Sequence, residues 1–143
     1  MFYLHTLYYI FIILITLYKL KTSNTNKTKI IFNYIILPWI IFSAMGHLLF
    51  TKQVAKSIGW TVSPFQYELG FFTLALFILG FYVDYKNYSI QTYNVIIYIW
   101  LIFTFLCTLL HFKEIILKKN YKYNNIYPIF ITYIMIIIVL YMK

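Results

Sequence analysis

Ser43 to Gly70, SAMGHLLFTKQVAKSIGWTVSPFQYELG, carries most of the polar chemistry of a chain that is otherwise oily. Ser43, Gly46 and His47 fall at i, i+3 and i+4, so they share one face near the end of an apolar run. From Thr51 to Ile58, Lys52 and Lys56 stand on one side and Val54, Ala55 and Ile58 largely on the other. That is the pattern of a short helix lying flat at a membrane surface. Gly59 stops it, and Trp60 suits the interfacial belt. Ser63-Pro64-Phe65-Gln66 then starts the next helix, with Ser as capping-box residue, Pro at N1 and Gln at N3. Glu68 is thereby placed about one turn inside a membrane helix.

Working outward, the 143 residues are 63% hydrophobic and only 10% charged, more apolar surface than a soluble domain of this size can bury. Lipid must solvate it. All 12 basic residues are Lys, which argues against a nucleic-acid surface, where Arg forks read bases and phosphates. The lysines stand at the edges of apolar runs, where they snorkel to the interface and meet anionic head groups. The single Cys107 excludes an intrachain disulfide and leaves the redox compartment undetermined.

Five apolar runs predict one bundle of five transmembrane helices, over about 2–18, 30–50, 65–83, 91–112 and 127–142, with the interfacial helix between the second and third. The first lacks a basic start and a small-residue cleavage site, and reads as a retained span. Lys19–Lys29 is expected to be a solvated linker, Asp84–Ile90 a short turn, and Lys113–Ile126 a basic, Asn-rich loop ending where Pro128 begins the fifth helix. Pro38 should kink the second span by removing a backbone donor. Gly70, Ala75 and Gly80 are expected to be close-approach positions on the third. No internal repeat is present.

The alternation of five spans places the termini on opposite faces. On the face carrying the Thr51–Ser63 segment, here face A, it gathers His5, His47, His111 and Glu68, read as the only carboxylate inside a span. Asp84 falls on the other face. Lys residues flank the two faces equally, so the positive-inside rule gives no orientation. Asn26-Lys27-Thr28 and Asn87-Tyr88-Ser89 match the glycosylation pattern, which in so Asn-rich a chain is expected by chance.

Ionisable groups at membrane depth default to function. His47, Glu68 and His111, with Ser43 and Gln66, form the candidate set for binding a ligand or relaying a proton. A plain structural role also fits: both imidazoles as end-of-helix interfacial groups, and Glu68 held by its helix N-terminus and Lys52 or Lys56. No HExxH or Cys/His spacing indicates a metal, and no cofactor is specified. Neither a Gly-rich phosphate loop nor a Gly-x-Ser-x-Gly elbow is present, so no catalytic residue is assigned. The first functional reading is a non-enzymatic membrane protein that binds a small polar or amphipathic ligand or a membrane partner near face A. The alternative is a membrane oxidoreductase or proton-coupled carrier using His47, Glu68 and His111. The partners implied are the lipid bilayer and a membrane protein or second copy of this chain, not nucleic acid. The location implied is multi-pass, in the cell membrane.

Glu68-Leu69-Gly70-Phe71, followed by Leu74-Ala75 and Leu79-Gly80, resembles the Glu-Leu-Gly-Phe helix of an uncharacterised family of small bacterial polytopic membrane proteins, domain of unknown function sixty-seven ninety. The fourth run, ending in His111 before a basic, Asn-containing loop, is similar to it as well. Thr73 stands where that family usually has Asn, and Leu109 and Leu110 where small residues precede the His. The resemblance implies a multi-span bundle and supplies no activity.

Overall fold

The computed structural model describes the backbone of residues 2–141 and the side chains of residues 11–139. Among them every regular element is a helix: α1 (Phe2–Thr22), α2 (Lys27–Ile31), a π-helical turn (Phe32–Ile36), α3 (Leu37–Leu48), α4 (Thr51–Ile58), α5 (Pro64–Tyr85), α6 (Ile90–Lys118) and α7 (Tyr123–Tyr141). α2, the π turn and α3 form one rod, Lys27–Leu48. This rod, α5 and α6, at 22, 22 and 29 residues, are the described helices long and apolar enough to cross a membrane. The expected first and fifth spans are helical, but their ends lie outside the residues whose side chains are described, as does His5.

Several boundaries differ from expectation. Of the Lys19–Lys29 linker only 23–26 is non-helical, because α1 runs through Lys21 and Asn26 restarts the helix by accepting the Thr28 amide at 2.8 Å. The Asp84–Ile90 turn shrinks to 86–89. The Lys113–Ile126 loop shrinks to 119–122, since straight-chain Lys, Glu and Leu continue α6 to Lys118. Pro128 lies inside α7 rather than at its start. Ser63 is the N-cap of α5 but makes no side-chain capping bond, so no capping box forms. Glu68 is not the only carboxylate in a membrane-length helix, because α5 ends beyond Asp84 and α6 contains Glu114.

Near Pro38, the expected site of a kink, the rod changes its hydrogen-bond register. Pro38 has no N–H to give, and one turn earlier the ladder widens so that the Leu37 amide reaches the Phe32 carbonyl. α5 packs antiparallel along this rod. A Cβ on Gly70 would stand 2.6 Å from the Leu48 side chain, and one on Gly80 would stand 2.8 Å from Leu37. Ala75, expected on the same contact, is exposed. Thr73 lies there instead, with its hydroxyl bonded back to the Leu69 and Gly70 carbonyls at 3.0 Å.

α6 closes the core with Tyr93, Ile96, Ile97 and Trp100 against Phe32, Ile36 and Ile40. Trp39 meets Trp100 edge to face at 5.5 Å. α7 lies along α6, joined by a Thr108–Thr132 hydroxyl bond of 3.1 Å, and its N-terminal end contacts α4. Polarity is inverted relative to a water-soluble domain. On α5, Phe71, Phe72, Ile78, Leu79 and Phe81 are exposed, whereas Gln66 and Thr73 are buried.

Candidate functional site

Face A is the end of the bundle where α3 stops, α5 begins, α6 stops and α7 begins. His47 occupies the last turn of α3, with Thr51 Oγ donating to its carbonyl at 2.6 Å. Its Nδ1 is buried and has no hydrogen-bond partner among the described residues. Facing it, Gly70 leaves room for the His47 Cβ, which would stand 3.1 Å from a Cβ added there. Gln66 is one turn away on the same side of α5. It is 3% exposed, and neither its amide nitrogen nor its amide oxygen is paired among the described residues. Cβ atoms one helical turn apart are about 5–6 Å from each other. Adding the 3.1 Å step across the interface puts the Gln66 and His47 Cβ atoms within about 9 Å.

Glu68 does not join them. At about 100° per residue it is turned some 200° from both Gln66 and Gly70, and it is exposed. Ser43 is half-buried one turn deeper than His47 on the same face of α3. Among the described residues no three His, Cys, Asp or Glu side chains converge as metal ligands.

His111 belongs to a different constellation. Its Nδ1 is 2.6 Å from Asn125 Oδ1, and its ring stacks on Trp60 at 5.3 Å with 20° between planes. Asn125, fully buried, donates through Nδ2 to the Asn120 carbonyl at 2.9 Å. Asn120 in turn donates through its own Nδ2 to the Ile58 carbonyl at 2.8 Å, closing the C-terminal end of α4. Lys122 Nζ does the same for Lys56 at 3.1 Å, a favourable place for a cation at the negative end of a helix. Two Asn, one Lys and one His thus staple the α4 end to α6, α7 and the turn between them. A cleft of about 750 Å³ opens beside the staple, lined by Trp60, Ser63, Leu110, Lys113, Glu114 and Lys118 among others.

Asp84, set apart at the opposite end by the sequence, anchors a second cluster. Its Oδ1 accepts from Asn33 Nδ2 at 2.8 Å and from the buried Tyr93 hydroxyl at 2.9 Å. Lys29 lies over the Tyr93 ring and donates to Asn87 Oδ1. These bonds tie the π turn to both helices of the α5–α6 hairpin. Sequence reasoning missed Asn33, Tyr93, Asn120 and Asn125. The signal was weak, because Asn and Tyr are abundant in the chain and only three-dimensional pairing separates these from the rest.

An all-helical chain with three helices able to cross a membrane, carrying its polar side chains inward, has the character of a helical membrane protein. Residues 1–142 match the family described as "Family of unknown function (DUF6790)", and the chain belongs to that family. No curated protein and no solved structure matches it.

Proposed function

We propose that the chain is a membrane protein of five crossings that binds a small polar or amphipathic ligand at face A, its polar group received by Gln66 and His47. One observation carries this reading: a buried amide with neither of its atoms paired among the described residues, beside a buried imidazole nitrogen that is likewise unpaired among them. Leaving each such group dry costs about 1–3 kcal/mol. A molecule that offers Gln66 both a donor and an acceptor removes that cost, as a carboxylic acid, an amide or a hydroxy-carbonyl group does. Ser43, one turn deeper, is placed to meet the ligand's far side. Glu68 stands outside the set, and His111 serves the staple.

The test is native mass spectrometry of the full-length protein purified in mild detergent, with thermal melts of wild type, Gln66→Met and His47→Leu. Wild type is expected to retain a small molecule in stoichiometric amount, and both variants to lose it. Once stripped of ligand, wild type should melt below Gln66→Met, because Met fills the space without an unpaired amide. Equal, substoichiometric contents in all three proteins, with Gln66→Met melting lowest, would defeat the proposal.

A further inference from the structure

The cleft beside the staple has a composition that the proposed His47–Gln66 ligand does not use, and it shares no residue with that site. Three ammonium groups, Lys113, Lys118 and Lys122, line it against one carboxylate, Glu114. The carboxylate is already engaged, 2.7 Å from Lys118 in an i,i+4 pair. Lys122 is turned to the Lys56 carbonyl. Lys113 is exposed and makes no hydrogen bond or ion pair among the described residues. A positive excess therefore remains that no described residue neutralises.

Two further features point to the kind of anion. The cleft wall includes Ser63, the N-cap of α5, whose side chain makes no capping bond. Pro64 at N1 has no N–H and the Gln66 amide already donates to the Ser63 carbonyl at 3.1 Å, so what this 22-residue helix offers a phosphate is the positive end of its dipole. Among the charges on α6 stands one apolar side chain, Leu110, 44% exposed at the cleft one turn before Lys113 and Glu114, and Val62, outside the lining but next to Ser63, is exposed as well. A soluble anion has no use for these two side chains. An acyl chain descending from a headgroup does.

We infer that this cleft binds the headgroup of an anionic phospholipid. The phosphate lies between Lys113 and the start of α5, the acyl chains leave past Leu110 and Val62, and Trp60 stands at the interfacial level between them. The bond is non-covalent, so a change of charge in the cleft changes affinity with a predictable sign.

The experiment titrates detergent-solubilised full-length protein with short-chain phosphatidylglycerol, short-chain phosphatidylcholine and inorganic phosphate, reading the midpoint of thermal stabilisation. Phosphatidylglycerol is expected to stabilise the protein and the other two are not. Lys113→Gln should weaken the phosphatidylglycerol midpoint about five-fold, the worth of one surface lysine toward an anionic lipid. Glu114→Gln should tighten it by a similar factor, because Lys118 is released. Lys86→Gln, at the other end of the bundle, should leave it unchanged. Equal weakening by Lys86→Gln and Lys113→Gln would mean diffuse charge attraction and overturn the inference. So would an equal response to inorganic phosphate, which would make the occupant a soluble anion, or to phosphatidylcholine.

Discussion

Gly59 concentrates the constraints on the staple into one residue. It ends α4 at φ 81°, a left-handed conformation that costs a side-chain-bearing residue about 1–2 kcal/mol. Space is closed as well, since a Cβ would stand 2.8 Å from Asn120 Nδ2 and 3.2 Å from Lys122 Cδ. The same Asn120 nitrogen holds the Ile58 carbonyl, so moving it aside gives up a bond worth about 0.5–1.5 kcal/mol. Gly59→Ala is therefore expected to lower unfolding stability by about 2–3 kcal/mol. Adding Asn120→Ala should cost less than the sum of the two single changes, because the obstructing side chain is then gone. Strict additivity in a denaturation cycle would show that only the backbone angle matters.

The rod Lys27–Leu48 shows what one element does with an inserted residue. A π turn adds one residue to the helix, which rotates the residues before it by about 100° relative to those after it. Asn33 lies within that turn and donates from it to Asp84 at 2.8 Å. Pro38→Ala restores the missing donor and lets the turn relax to α register, swinging Asn33 away. The check is a thiol cross-link between Asn33→Cys and Asp84→Cys in a Cys107→Ser background. It should form with Pro38 and fall sharply with Pro38→Ala, whereas equal yields would show that the π turn persists without the proline. The same element marks what the sequence could and could not reveal. Apolar run length was legible, because the thickness of a hydrocarbon core sets it, and so were the stop at Gly59 and the two-sided Thr51–Ile58 helix. Helix rotation was not. A rod that is apolar all round gives no stripe to fix which residue points inward, so Glu68 read as the buried acid when Gln66 holds that place. Helix ends were misplaced where Lys113 to Lys118 read as solvated charge although their aliphatic stems extend α6. The Asn120 and Asn125 contacts join residues from separate elements, beyond any local pattern.

At the scale of the whole molecule, most polar side-chain contacts between elements gather at the two ends, and the Thr108–Thr132 hydroxyl bond is set between them amid apolar packing. Asp84, Asn33 and Tyr93 hold one end, the Asn120–Asn125–His111 chain holds the other, and Trp100, Ile97 and Ile40 fill the space between. In lipid, helices gain nothing from hiding apolar surface from water, so directional bonds at the ends and close packing at Gly70 and Gly80 must set which helices pair. The proposed zigzag then has a direct consequence for labelling. Asn24 and Lys86 lie between helices at one end of the bundle, Lys56 on α4 and Tyr121 between α6 and α7 at the other, and all four are exposed. Single-cysteine variants at these positions, made with Cys107→Ser and reconstituted in sealed vesicles of uniform orientation, are read with a membrane-impermeant maleimide. Asn24→Cys and Lys86→Cys should label from one side, and Lys56→Cys and Tyr121→Cys from the opposite side. If Lys56→Cys and Lys86→Cys label together, α5 does not cross. If Tyr121→Cys labels with Lys86→Cys, α6 does not cross, and the cleft lined by α6 loses the bilayer rim on which its lipid depends.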